Sequence, residues 1–438
     1  MYINIPENAE KIINTLEEAG FESYVVGGCV RDSVMGRIPN DWDITTIARP
    51  EDVKKLFPRT FDTGIKHGTV SVLMDKEIFE VTTYRIDGEY LDGRHPEKVE
   101  FTDLISEDLK RRDFTINAMA YNPKRGLVDL FEGISDLEKG VVRCVGNPCD
   151  RFNEDALRIL RAIRFAGQFG FSIDGETSKA ISALAGNLEK ISAERIRTEL
   201  LKLLKSPHPE YIRIAYRLGI TKVILPEFDI MMETEQNTPH HCYSVGEHTI
   251  KVMCGVNDSD DLRLSALFHD MGKPAARTTD EEGVDHFRHH QEISEEITVC
   301  VMKRLKFDND TIKRVSKLVR YHDWTINYGK SNIRKTINKI GEEVFPEIFD
   351  LNYADIMAQS DFEREGKVEN LRRLKEEYEE VMAKKECVSL KTLAITGNDL
   401  LKMGYKPGPE IGKTLSFLLD KVLEDPSLNT KEKLIKLI

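Results

Sequence analysis

Apolar residues recur at helical spacing near the start of the chain, where Ala9, Ile12, Ile13, Leu16 and Ala19 fall on one face and Gly20 supplies a stop. The pattern then shortens. Residues 24–26, 41–46, 69–74 and 78–84 read as strands, punctuated by Gly27, Gly28, Gly36, Pro39, Gly64 and Gly68. One helix mixed with short strands predicts a small α/β or α+β domain over 1–145. From about Asn153 helical periods take over: Leu157, Leu160, Ile163 and Phe165 begin one stripe, and Ile196, Leu200, Leu203 and Leu204 form another. The polar stretch 234–241 interrupts the pattern. Near the C-terminus Gly404, Pro407, Gly408 and Pro409 predict a tight connection between two helices. The expected divisions are 1–145, 146–235, 236–361 and 362–438.

A chain of 438 residues is too long for one core, and 40% apolar with 32% charged residues suits a soluble globular protein. No apolar run approaches the roughly 20 residues that cross a bilayer, and the N-terminus has no export signal, so no membrane is expected. Seven scattered cysteines without a Cys-x-x-Cys pair suit a reducing, cytoplasmic setting. The net charge of −12 argues against an acidic partner, yet between Arg151 and Arg217 twelve Lys/Arg face eight Asp/Glu. That local excess is where RNA phosphates would lie, or else it is an ordinary solvated helical surface.

Two short runs carry the first chemistry. In "YVVGGCVRD" the Gly27–Gly28 turn between a strand and a helix lets backbone amides approach an anion, with Arg31 close by. In "PNDWDITT" period-two geometry sends Asp41 and Asp43 to one face of a strand and Trp42 to the other. Paired carboxylates repel unless a hard cation such as magnesium lies between them. Alone, Asp-x-Asp also describes a surface turn; the Gly-Gly turn ahead of it favours the metal reading. Glu80, in "EIFEVTTYR", is either a third catalytic carboxylate or the partner of Arg85 or a nearby lysine.

The runs "GGCVRDSVMGRIPNDWDITT", "RRDFTINAMAY", "RFNEDALRILRAIRFA" and "ISAERIRTELLKLL" together resemble, in order, the motifs of the bacterial class II tRNA nucleotidyltransferases. The resemblance spans roughly the first 230 residues. It implies an α+β chain with a small nucleotidyltransferase-type mixed-sheet head, then an all-α neck and body. It implies two Mg2+ ions at Asp41 and Asp43, and addition of C and A to the 3′ end of tRNA from CTP and ATP. A-adding, CC-adding and poly(A)-adding enzymes share these motifs. Gly28 and Arg31 match positions that hold the nucleotide's phosphates, and Arg112 and Asp113 match positions near its sugar and triphosphate.

Glu154, Asp155, Arg158, Arg161 and Arg164 recur at three- and four-residue spacings, which reads as helical ion pairing. The family implies a sharper role: Asp155 accepts from the exocyclic amine of the incoming base and Arg158 donates to the adjacent ring nitrogen. Cytosine and adenine share that edge, and uracil and guanine do not. Arg161 and Arg164 are expected at phosphate or holding Asp155, with Glu194, Arg195 and Glu199 as support for the helices.

Most of the eleven histidines lie between His240 and His322. "VGEHTIKVM", "LSALFHDMGKP", "HFRHHQEIS" and "LVRYHDW" place histidines and aspartates on successive helices, which can converge on a metal. This order resembles the HD superfamily of metal-dependent phosphohydrolases over 241–361. The likeness implies His248, His269, Asp270 and Asp323 as ligands, with His290 at a second metal or a phosphate, and a further divalent ion in an α-helical HD domain. The helical tail resembles an RNA-gripping segment of HD-bearing members. A reading of another class is an RNA-end phosphohydrolase whose N-terminal half only binds RNA; the intact Asp41 and Asp43 argue against it.

Overall fold

The first apolar stripe folds as helix α1 (Glu7–Glu18), with Ala9, Ile12, Ile13 and Leu16 buried. Each large side chain contributes about 1.5–3 kcal/mol through burial. Ala19 lies beyond the helix and is exposed, and Gly20 turns the chain at φ 90°. The computed structural model describes residues 2–87, 99–323 and 328–438. They pack as two units, Met1–Pro226 and Glu227–Ile438. The first sequence-based border inside the helical part, at 235/236, therefore falls just past the break in packing.

In the first unit the chain runs through β1 (Ser23–Val26), α2 (Gly28–Val34), β2 (Ile44–Thr46), α3 (Pro50–Leu56), β3 (Thr60–Gly64), β4 (Thr69–Met74) and β5 (Glu77–Thr83). Strands β6 (Arg85–Asp87) and β7 (Val99–Phe101) pair as a separate ribbon. After α4 (Ile105–Lys110), β8 (Met119–Asn122) and β9 (Gly126–Asp129) complete a seven-stranded sheet of order β3-β4-β5-β2-β1-β8-β9. The β2–β5 pair is parallel and its neighbours are antiparallel, so the sheet is mixed.

Alternation along β5 turns Phe79 and Val81 into a core shared with Val70, Val72, Val25, Ile44 and the buried face of α1. Glu80 points away from that core and is exposed. On the side of the sheet away from α1, Tyr24, Val26 and Ala120 are covered by Leu109 of α4. Helix α5 (Gly133–Lys139) and a two-residue ladder between β10 (Val141–Val142) and β11 (Ser172–Ile173) lead into the helices. These are α6 (Pro148–Glu154), α7 (Leu157–Phe169), α8 (Gly175–Leu184), α9 (Ala193–Leu204), α10 (Ile212–Arg217) and α11 (Thr221–Ile224). The stripes expected on α7 and α9 are buried.

The second unit is helical: α12 (Pro226–Met232), α13 (Val245–Gly255), α14 (Asp260–Phe268), α15 (Lys273–Ala276), α16 (His290–Arg304), α17 (Asn309–Tyr321), α18 (Lys330–Ile340), α19 (Phe345–Ala358) and α20 (Arg364–Ala383). Helices α13, α14, α16, α17 and α19 pack on one another. The tail, α21 (Gly397–Lys402), α22 (Pro409–Glu424) and α23 (Lys431–Ile435), has its own core around Leu400, Leu418, Val422 and Leu434. Gly404 and Gly408 take positive φ between α21 and α22, as the glycine-proline run predicts. Among the described residues no helix is long and apolar enough to cross a membrane.

Candidate active site and metal centre

Gly27 ends β1 with φ 81° and ψ −125°, a conformation open to glycine alone. A Cβ there would also lie 2.8 Å from Nη1 of Arg112, so the bare backbone lets that guanidinium settle over the turn. Gly28 opens α2, whose first-turn amides have no partner inside the helix. Asp41 and Asp43 stand in the segment leading into β2 and not in the strand itself, which begins at Ile44. The ladder persists weakly, since the Val26 amide donates to the Asp43 carbonyl at 3.0 Å. Trp42 packs against the sheet core, and the two flanking aspartates are exposed.

Asp43 is open to solvent on one side and closely packed by protein on the other. That burial, then the like charges of Asp41 and Glu80, push its carboxyl up to about 6, partly offset by Arg112. Three carboxylates therefore share one field. Glu80 makes no ion pair among the described residues, and Arg85 donates to the His67 carbonyl. Such a concentration of negative charge is the donor set a hard divalent cation requires.

Arg31 is buried, held by Asp32 at 2.8 Å and by the Asn117 side chain, with its guanidinium 4.9 Å from the Phe169 ring centre. Asn117 in turn donates to Asp113 at 3.1 Å, and Arg161 grips the other oxygen of Asp113 at 2.6 Å. Burial would raise Asp113, but the Arg161 charge and the Asn117 amide outweigh it and hold the carboxyl below its usual range. Arg164 is buried against Glu199 at 2.9 Å and Gln168 at 2.9 Å. Arg161 and Arg164 thus tie the sheet domain to α9. Neither holds Asp155, which corrects one of the roles expected for them.

The acidic-basic run is not one helix. Asp155, at φ −142° and ψ 102°, separates α6 from α7 and accepts from the Leu157 amide at 3.0 Å. The carboxylate is gripped from α9 by Arg195, whose two nitrogens reach its two oxygens at 3.2 and 2.6 Å. Sequence reasoning assigned Arg195 only to general helix support. Arg158 is fixed by Glu154 at 2.5 Å and by the carbonyls of Arg151 at 3.2 Å and Arg111 at 3.0 Å.

In the second unit His248, His269 and Asp270 gather in one group and Asp270, His290 and His322 in another. Nε2 of His248 lies 3.4 Å from Nε2 of His269, and Nε2 of His290 lies 3.2 Å from that of His322. The Nδ1 atoms of His269, His290 and His322 face the carbonyls of Ala266, Phe287 and Val319 at 2.8, 2.8 and 2.7 Å. A carbonyl only accepts, so each Nδ1 carries the proton and each Nε2 presents a lone pair to its neighbour. Facing lone pairs at these distances repel until a proton or a cation lies between them. Asp270, completely buried, bridges both groups; burial opposes its charge, and His269 with Lys273 overcomes that and holds it far below the usual range. The cluster opens into a cavity of about 440 Å³.

Two positions differ from expectation. Asp323 is exposed and outside both groups, while His322 beside it is buried. The buried stripe of α17 runs through Val315 and Val319, and the next position on that face is His322. The remaining carboxylate is Asp355, whose Oδ1 lies 2.8 Å from Nε2 of His248. Its signal was legible: Asp355 interrupts the apolar face of α19 between Leu351 and Ala358.

Comparison with known proteins bears on both units. Residues 23–143 match the family described as the poly A polymerase head domain, residues 170–232 the "Probable RNA and SrmB- binding site of polymerase A", and residues 277–438 tRNA nucleotidyltransferase domain 2. A CCA-adding enzyme of Levilactobacillus brevis is 33% identical over 98% of this chain and 96% of its own. One from Lactiplantibacillus plantarum is 51% identical over 201 residues, 46% of this chain and 49% of its own. The Bacillus stearothermophilus CCA-adding enzyme, solved in complex with CTP, has a TM-score of 0.71 at 26% identity, covering 98% of this chain and 97% of that one. With likeness extending over nearly the whole length in both sequence and fold, the chain belongs to the CCA-adding enzymes of the class II tRNA nucleotidyltransferase family.

Proposed function

We propose that this chain adds C and A, without a template, to the 3′ end of tRNA from CTP and ATP in the cytoplasm. The observation that carries the reading is the shared field of Asp41, Asp43 and Glu80 beside the Gly27–Gly28 turn. The family depends on a divalent metal, and the donor set fits two magnesium ions held by Asp41 and Asp43. Such ions supply the charge that makes the RNA 3′-hydroxyl a better nucleophile and balances the departing pyrophosphate. Gly28, Arg31 and Arg112 give the triphosphate its positive seat. None of them needs to move a proton, because phosphoryl transfer rests mainly on positioning and charge.

Asp155 and Arg158 read the base. Cytosine and adenine both offer an amine beside an unprotonated ring nitrogen, so one carboxylate and one guanidinium suit either; uracil or guanine would leave buried polar groups unpaired. The anchors described above, Arg195 for Asp155 and Glu154 for Arg158, hold that pair in one orientation. The test is incorporation on tRNA transcripts ending before, within and after CCA, each nucleotide supplied singly. Addition of C to the shortest transcript and A to the one ending in CC is expected. A chain that adds only A, only CC, or many A residues would belong to the other activities of the family.

The convergence of four imidazoles on Asp270 favours a second, independent centre: a divalent metal site of HD type, with His248, His269, Asp270 and Asp355 on one side and His290 and His322 on the other. It suits hydrolysis of phosphate esters. Metal analysis of the purified protein tests it, with His269→Ala expected to lose metal while keeping nucleotide addition.

A further inference from the structure

The sheet order sets out the transferase parts in sequence. The Gly27–Gly28 turn leaves β1, Asp41 and Asp43 lead into β2, Glu80 sits on β5, and β4 and β3 continue beyond it. In phosphoryl transfer the attacking and leaving oxygens stand roughly in line on opposite sides of the phosphorus. With the pyrophosphate over the β1 turn, the RNA hydroxyl must enter from the β5 side. The nucleoside that carries it then lies over β4 and β3.

That part of the sheet face has an unusual surface. Phe61 on β3 pairs with Ser71 on β4, and Ser71 pairs with Glu80 on β5, so all three share one face and one row. Adjacent strands stand about 4.8 Å apart, which puts Phe61 about 10 Å from the catalytic carboxylate. Phe61 is 49% exposed and makes no ring contact among the described residues. In the next row Leu73 pairs with Ile78, which is 63% exposed. Between Phe61 and Glu80 the Ser71 side chain is buried, its hydroxyl bonded to that of Thr63 at 2.7 Å, so the exposed side chains beside Glu80 in these rows are the uncharged Phe61, Thr63 and Ile78. An exposed aromatic on an edge strand invites unwanted pairing unless something covers it. A neutral flat surface suits the face of a base and not a phosphate.

We propose that this open face of β3 and β4 seats the 3′-terminal nucleoside of the acceptor RNA, with its base stacked on Phe61. The proposal rests on the transferase reading and adds a site for the second substrate, continuous with the row that ends in Glu80. Single-stranded RNA ends are held in this way because every base has a stacking face. The seat therefore accepts whichever nucleotide ends the acceptor, as stepwise addition demands.

The test is steady-state addition of C by the full chain, with the transcript and CTP varied separately, for wild type, Phe61→Leu and Phe61→Trp. Phe61→Leu keeps an apolar residue on the strand and removes the ring. It is expected to raise KM for the transcript about tenfold, the scale of one lost base–aromatic stack, with KM for CTP unchanged. Phe61→Trp is expected to restore the wild-type value, and its added fluorescence to be quenched by transcript in the absence of CTP. A transcript KM within twofold of wild type in Phe61→Leu, or an equal rise in both KM values, would overturn the proposal. A wild-type chain that incorporates nothing would overturn the transferase reading, and this seat with it.

Discussion

Replacing Arg195 by alanine removes the anchor of Asp155 without touching Asp155, Asp41, Asp43 or the glycine turn. The pair is bidentate, at 3.2 and 2.6 Å, with the two side chains 22% and 16% exposed. A charge-assisted arrangement of this kind contributes about 1.5–3 kcal/mol, and water replaces part of it in the variant. At 1.4 kcal/mol per factor of ten, the loss corresponds to about a ten- to hundredfold change. It should appear as selectivity. A carboxylate free to turn aside no longer opposes the O4 carbonyl of uracil, and the Arg158 guanidinium can donate to that carbonyl. The assay compares kcat/KM for CTP and UTP on a transcript ending before CCA. The C-over-U ratio is expected to fall about ten- to hundredfold, and Arg195→Lys, which keeps the charge but not the fork, to fall part of the way. An Arg195→Ala enzyme that is slower on both nucleotides with an unchanged ratio would refute the reasoning, because Arg195 would then be only a strut between helices.

Gly27→Ala meets both a forbidden φ and the Arg112 guanidinium at 2.8 Å, so denaturant unfolding should show a loss of about 1–3 kcal/mol together with loss of addition. Asp43 titrates near 6 in the folded protein against about 4 unfolded, so in chelator the native state binds the extra proton between those values. The wild-type melting temperature without metal, taken relative to that of Asp43→Asn, should therefore fall as pH rises from 4 to 6; Asp43→Asn should also add no nucleotide. In the second unit His322→Ala should lower bound metal measured by plasma emission, while Asp323→Ala should leave it unchanged. Glu199→Gln strands the buried Arg164 guanidinium, and breaking such a pair costs about 3–5 kcal/mol, readable as a lower denaturation midpoint.

Much of this was legible in the sequence because it depends on local period. The α1 stripe and the strands at Ser23–Val26, Thr69–Met74 and Glu77–Thr83 follow from spacings of 3.6 and 2, whereas β3 (Thr60–Gly64) was not anticipated. Alternation about Trp42 foretold the placement of Asp41 and Asp43, although strand hydrogen bonding begins only at Ile44. Local period failed where a side chain competes with the backbone. Asp155 sits at a helical spacing from Arg158, yet its carboxylate takes the Leu157 amide and breaks the helix there. The His322–Asp323 error is of another kind, since adjacent helical residues lie about 100° apart and only one can face the core. Following the α17 stripe through Val315 and Val319 selects the histidine.

What no period reveals is partnership over distance. Arg195 and Asp155 are separated by 40 residues, and Asp113 and Arg161 by 48. The two pairs have a common consequence. Asp113, between α4 and β8, is tied to α7, while Asp155, just ahead of α7, is tied to α9. Asp155, proposed above to read the base, is thereby fixed to a helix, whereas Asp41 and Asp43 lead into the central strand β2 and Glu80 lies on its neighbour β5. An enzyme without a template has only such rigid protein groups with which to measure a base. Its accuracy must then depend on residues like Arg195 that touch no substrate, and selectivity should be lost by cutting those supports while the carboxylates stay intact.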